Sequence, residues 1–267
     1  MKNKHLLAAF TASLVAPAAF AAADPWEAPF TLQIGVYNAE AETKVRLDSS
    51  GGRFGTELSF ETDLGGEHRK ALPTFDMLWR INPRHAIEAS VVSLRREGQT
   101  TLRGSIDWGD QTFPINTPIN SEFNSDIVRL AYRWSLVHDD RAELGLLFGV
   151  HYTRLETSIS STGSSAQISE SASIDYPLPT IGVRGSARIG QNWRVTGFGQ
   201  FLKLKIDDYD GEVTNFGAGV EWAFAQGMFA GLGYEYYKYN LVSSKDKARG
   251  EFNYEFDGPK LYFGWSF

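Results

Sequence analysis

Ten stretches of the chain alternate between large apolar and polar or small residues with a period of two: 30–37, 71–81, 86–92, 128–136, 143–153, 177–189, 193–201, 214–224, 228–237 and 259–267. Successive side chains of a strand point to opposite faces, so this period predicts β-strands. In 128–136, Val128, Leu130, Tyr132, Trp134 and Leu136 share one face, and Arg129, Ala131, Arg133 and Ser135 share the other. In the next stretch Leu144, Leu146, Phe148, Val150 and Tyr152 oppose Glu143, Gly145, Gly149, His151 and Thr153. The apolar faces carry no charge. The opposite faces carry twelve: Asp76, Arg80, Glu88, Arg129, Arg133, Glu143, Arg184, Arg188, Arg194, Glu221, Glu235 and Lys260. Those twelve, with His151, are the expected lumen lining of a closed barrel whose greasy face meets lipid.

Two further patterns support a membrane-spanning, up-and-down antiparallel barrel. Each apolar face ends at a charge on the same side: Glu40, Arg69, Arg95, Asp126, Arg154, Asp175, Lys203, Glu212, Lys238 and Asp257. A Lys or Arg at the bilayer midplane costs about 2–4 kcal/mol and almost nothing at the interface, so ten charges at one level read as a waterline. The connections are also unequal. Turns at 82–85, 138–141, 190–192 and 225–227 are short. The connections at 38–70, 93–127, 154–176 and 238–258 are long and polar, with a tighter one at 202–213. Short periplasmic turns and long extracellular loops are the pattern expected of such barrels. The fold class is therefore all-β, about 10 strands, with 12 as the alternative if Thr56–Leu64 or the pair Thr100–Asp107 and Phe113–Ile119 join the wall. The preferred expectation makes these segments β-structure above the membrane. A soluble barrel would alternate too, but would not place ten charges at one level.

The N-terminus sets the compartment. Lys2 and Lys4 precede an apolar run from Leu6 to Ala23 with small residues at peptidase spacing, which reads as a secretory signal over 1–23, cleaved after Ala21 or Ala23. Residues 24–267 then form one barrel domain. The signal takes Lys2 and Lys4 from the 26 basic residues, leaving 24 against 32 acidic and a net charge of −8. That balance excludes nucleic acid as a partner, which would need a basic stripe. Cysteine is absent, so thiol nucleophiles and thiolate zinc sites are excluded.

The last residues, Pro259-Lys260-Leu261-Tyr262-Phe263-Gly264-Trp265-Ser266-Phe267, alternate to a terminal aromatic. Leu261, Phe263, Trp265 and Phe267 resemble the C-terminal assembly signal of bacterial outer-membrane proteins. The resemblance implies insertion by the outer-membrane assembly machinery after transit with periplasmic chaperones. The stretches Glu57–Leu64 and Phe75–Glu88 are similar to those of small outer-membrane barrel proteins of Gram-negative bacteria, which implies the fold and no activity.

Candidate chemistry is sparse. Seven basic and five acidic lumen residues are expected to pair, because a charge stranded at low dielectric costs several kcal/mol. A filled, charge-lined lumen in a non-enzymatic envelope or surface-interaction protein is the first expectation, and a narrow porin-like channel the alternative. A third expectation is a hydrolase at the outer rim, acting on protein or lipid. His151 is the lumen imidazole available to it. His68 reads as a loop residue, and His85 and His138 lie in periplasmic turns. Omptin-type proteases use paired acids and an Asp-His couple at the rim; Asp207-Asp208 offers the acids but has no histidine beside it. Asp207, Asp208, Asp210 and Glu212 lack the ordered spacing of a calcium loop, so neither metal nor cofactor is expected. Arg95, Arg96 and Arg103 are the candidates for contact with lipopolysaccharide phosphates, in an outer membrane whose lipid is the expected surrounding.

Overall fold

A computed structural model describes residues 24–162, 168–206, 209–244 and 249–267. The expected signal segment 1–23 and Asp207-Asp208 lie outside the described residues. Ten long antiparallel strands close into a barrel: β1 (Phe30–Leu47), β3 (Arg69–Asn82), β4 (His85–Thr101), β7 (Pro118–His138), β8 (Ala142–Ser161), β9 (Ser169–Arg188), β10 (Trp193–Ile206), β11 (Tyr209–Ala225), β12 (Met228–Ser243) and β13 (Gly250–Ser266). Each pairs with its sequence neighbours, and β13 returns to β1 with Phe263 against Ile34. Closure removes the free edges that hydrocarbon cannot hydrate. Among the described residues the wall has ten strands, not the alternative twelve. Within 56–64 only β2 (Leu58–Ser59) pairs, and the 100–119 region adds a small hairpin of β5 (Ile106–Trp108) and β6 (Gln111–Phe113).

The short turns sit at one end. At 138–142 the backbone N–H groups of Arg141 and Ala142 donate to Asp139 Oδ1 at 2.8 and 2.9 Å. Those donors hold the Asp139 carboxyl below the usual carboxylate range. Outward positions of the lower wall are large, apolar and exposed: Ile34, Phe75, Leu130, Phe148, Ile181, Phe216 and Leu232 are each more than two-fifths accessible. Surface of that kind on a monomer needs a bilayer. Inward positions opposite them are often glycine, and neighbouring aromatics cover the gaps. A methyl at Gly231 would fall 2.1 Å from the Tyr262 ring, and one at Gly264 would fall 2.2 Å from the Phe229 ring. Aromatic side chains laid over strand glycines restore packing that glycine forfeits.

The strands continue well beyond the waterline, and there the chemistry of the two faces changes places. Strand register sets several of the ten boundary charges side by side: Glu40 faces both Arg69 and Asp257, Arg154 faces both Asp126 and Asp175, and Lys203 faces Glu212. Ion pairs link Arg69 to Glu40 at 2.8 Å and Arg95 to Asp126 at 2.7 Å. Below this ring the wall is apolar outside and charged inside. Above it, Leu155 and Ile159 of β8 and Leu241, Phe252 and Tyr254 of β12 and β13 point inward and are almost fully buried. Arg154, Glu156, Ser158 and Ser160 point outward. The membrane part thus has the polarity of a lipid-embedded barrel, and its extension has that of a water-soluble one.

The long connection at 93–127 is mostly strand rather than loop, that at 38–70 is strand as far as Leu47, and apolar residues from the rest of both fold into the barrel mouth. Leu58, Phe60 and Leu64 from one, and Leu102, Ile106, Trp108 and Phe113 from the other, join the buried apolar core. Nearly the whole of 154–176 and 238–258, where described, is also strand.

Candidate functional site

The interior has three layers. The outermost is the dry core just described. A buried ion pair within it joins Arg96 of β4 to Glu61 of the infolded segment. The Arg96 guanidinium lies 4.8 Å from the Phe60 ring centre and 5.0 Å from that of Phe123, a cation sandwiched between aromatic faces. Glu61 Oε2 also accepts from the Thr43 backbone N–H at 3.0 Å, and Ser121 Oγ donates to the Leu64 carbonyl at 3.0 Å. These contacts fasten the segment to three different wall strands.

Arg96 therefore corrects the expected lipopolysaccharide trio. Arg95 and Arg96 are adjacent in a strand, so they must face opposite ways. Arg95 is outside in the charge ring, Arg96 is 1 % exposed inside, and Arg103 is exposed in the connection above. The three do not form one surface.

The middle layer is a cavity of about 160 Å³ lined by ion pairs. Ten of the thirteen expected lumen residues line it; Glu143 and His151 are buried next to it, and Arg188 stands over Trp26 at the short-turn end. Lys260 Nζ lies 2.8 Å from Asp76 and 3.8 Å from Glu235. Arg129 pairs with Glu235 and donates to Ser90 Oγ at 2.7 Å. Lower down, Arg80 donates to Glu143 at 3.0 and 3.2 Å, and Arg133 Nε lies 3.4 Å from Glu88 and 3.5 Å from Glu143. Arg184 reaches Glu88 at 3.1 Å with its guanidinium 4.8 Å from the centre of the Phe198 ring. Arg194 Nε donates to Glu221 at 2.7 Å, and Tyr262 OH donates to the other oxygen at 2.9 Å. Pairing across strands far apart in sequence satisfies charges that water cannot reach freely.

Between core and cavity sits an uncharged polar group. His151 Nε2 and Gln200 Oε1 are 3.3 Å apart, Gln200 Nε2 donates to Thr180 Oγ1 at 3.3 Å, and the His151 ring stacks on Tyr237 at 5.9 Å. Asn215 faces Gln200 and Tyr237 in register. It is wholly buried, and neither side-chain atom has a partner; His151 Nδ1 also lacks one.

The third layer closes the short-turn end. Trp26 is buried in the mouth, 5.1 and 5.3 Å beneath the guanidinium groups of Arg188 and Arg194. Arg188 pairs with Asp24 at 2.5 Å and Glu27 at 3.2 Å, and Glu27 lies 3.1 Å from His138. Ser266 Oγ donates to the Pro25 carbonyl at 2.7 Å. The segment 24–29 was not singled out in the sequence; the isolated Trp26 between two acids was the signal for it. At this end the C-terminal pattern also finds its place. Leu261, Phe263 and Trp265 face outward, and Phe267 stacks on Phe30 at 5.6 Å.

Comparison with solved structures identifies the architecture. The outer-membrane protease OmpT of Escherichia coli superimposes with a TM-score of 0.58, at 14% identity over 89% of this chain and 96% of that one. The chain has the fold of a Gram-negative outer-membrane β-barrel. The translocator domain of the autotransporter NalP of Neisseria meningitidis gives 0.43 at 12% identity over 88% of each chain. OprG of Pseudomonas aeruginosa gives 0.37 at 8% identity, over 89% of this chain and 95% of that one. No protein-family model and no curated protein matches the sequence. The likeness is one of fold, and activity has to be argued from the interior.

Proposed function

We propose that the chain is an integral outer-membrane barrel that does not conduct along its axis, has no catalytic role, and serves as a surface-interaction scaffold. The observation that carries this reading is the double closure of the lumen. Aromatic and aliphatic side chains fill the outer half, and Trp26 beneath two guanidinium groups, flanked by the ion pairs of Asp24 and Glu27 with Arg188, fills the other mouth. A conducting pore needs a continuous polar path with sites weak enough to release an ion. Here the polar cavity lies between a dry core and a bound N-terminal segment.

A rim hydrolase would need a base within hydrogen-bond reach of a nucleophile or water. His151 stacks on Tyr237 beneath the core, and His85 and His138 bind Tyr132 and Glu27 at the far end. These placements favour the scaffold. The surface offered to a partner is the polar outer face of the barrel extension, with Arg95 in the charge ring and Arg103 in the connection above it as separate contacts for lipopolysaccharide phosphates.

Single-channel recording of the chain folded into planar bilayers tests this reading. Insertion without discrete current steps is the expected result. Reproducible steps with ion selectivity would replace the scaffold with the channel.

A further inference from the structure

We propose that the seam between β9 and β10 is a lateral portal, through which a single-chain amphiphile with an uncharged head reaches the buried His151–Gln200–Asn215 group from the outer leaflet. The β3–β4 ladder also stops short, at Thr74 opposite Val92, but there the infolded segment backs β4 through the Gly66–Gly98 bridge; the remaining neighbouring pairs of wall strands, β9–β10 apart, are joined over most of their length. The β9–β10 ladder ends at Ile181 opposite Phe201, although β9 continues outward to Ser169 and β10 to Ile206. Had the register continued, Pro179 would face Lys203 and Pro177 would face Lys205. Proline has no N–H to give a ladder. The β8–β9 register runs unbroken through both prolines, which are two residues apart and so lose donors on the same edge. The sequence Tyr176-Pro177-Leu178-Pro179 thus keeps this seam unzipped, and it equally prevents a partner strand from docking there.

The level of the seam fixes its occupant. Both prolines lie between the ring charge Asp175 and the lipid-facing Ile181. Above Phe201, the inward-phase residues Leu202 and Leu204 are half-exposed, whereas inward leucines of the same layer, such as Leu155 and Leu241, are almost wholly buried. Leu178 fills the gap from inside: a methyl at Gly211 of β11 would lie 2.8 Å from its Cδ2. Behind that side chain, Thr180 and Gln200 lead to Asn215 and His151, which carry unpartnered buried atoms. A buried polar atom without a partner is a standing cost that a hydroxyl or amide head would remove. The residues there are amides, hydroxyls and an imidazole, which suit an uncharged head. The apolar seam suits one hydrocarbon chain still trailing in the leaflet.

Photolabelling tests the portal. The probe is a long-chain alcohol with a diazirine beside its hydroxyl, added to nanodiscs holding the intact barrel, with sites mapped by mass spectrometry. Label is expected at Leu178, Gln200 and Asn215 as well as on the lipid-facing wall. Pro177→Thr with Pro179→Thr restores the donors and should remove the interior label, leaving label at Val183 and Phe216 unchanged. Asn215→Leu should weaken interior labelling about tenfold, as expected for one lost buried hydrogen bond. Heat-modifiable migration on gels certifies folding of each variant. Interior positions that stay unlabelled in the unaltered protein, or that label equally in the folded double proline variant, would overturn the proposal. Neither outcome depends on whether the barrel conducts along its axis.

Discussion

Replacing Glu143 with Ala is expected to destabilise the folded barrel by about 3–5 kcal/mol, the usual cost of stranding a buried charge. Glu143 receives two hydrogen bonds from Arg80, accepts from Ser135 and lies 3.5 Å from Arg133. Its removal leaves two guanidinium groups, each about 6 % exposed, to share what remains. Arg133 keeps Glu88 at 3.4 Å, but Arg80 keeps only a weak 3.5 Å contact with the Trp26 carbonyl. The mouth should loosen together with the wall, because that carbonyl belongs to the closing segment. Reversible urea unfolding in lipid vesicles measures the loss as a fall in midpoint. Glu143→Gln preserves the shape and one acceptor, and should recover part of it. An unchanged midpoint for Glu143→Ala would mean that the lower network contributes nothing to stability.

Glu61→Ala should cost a similar amount, about 3–5 kcal/mol, for a different layer. Arg96 would then lie between Phe60 and Phe123 with no carboxylate, in a core that excludes water. The pair is not needed for its attraction alone. An apolar replacement of both partners, Glu61→Leu with Arg96→Met, should restore most of the lost stability, since it removes the charge as well as its partner. The four proteins form a double-mutant cycle, and a large favourable coupling is expected. Additive losses would show that Arg96 reaches solvent in the folded state. Loss of the pair should also release the 57–67 segment first, giving early protease cleavage there while the strands stay protected.

The two halves of the barrel differ in how plainly the chain displays them. Lipid demands large apolar residues at every second position, so the lower strands announce themselves, as Val128 to Leu136 do. The strand extensions are harder to see, because their apolar residues are fewer and stand in the opposite phase. Leu155 and Ile159 follow Tyr152 at odd spacing, and Ile174 stands out of step with Ile181 in the same way. A reader tracking one greasy face sees the pattern stop at the ring and infers a loop. Alternation alone was enough to separate Arg95 from Arg96, since neighbours in a strand cannot share a face. Register was out of reach, because it depends on which strands meet and how far they slide. The partners Arg129–Glu235 and Lys260–Asp76 are consequences of closure rather than of spacing. Infolding of Trp108 and Phe113 has the same origin: only a mouth already walled by apolar strand ends rewards their burial.

Inversion of polarity across the charge ring underlies all of this, and spin labels walked along β7 read it directly. The chain has no cysteine, so single substitutions from Asn120 to Trp134 can each carry one label. In a bilayer, outward labels at Val128, Leu130 and Trp134 should collide with oxygen dissolved in lipid. Outward labels at Asn120, Glu122 and Asn124 should collide with a water-soluble nickel complex, and inward labels at Phe123 and Ile127 with neither. The change should fall at Asp126. Oxygen-dominated contact continuing through Asn120, or free access of the nickel complex to Phe123, would contradict a dry outer core set above a lipid belt.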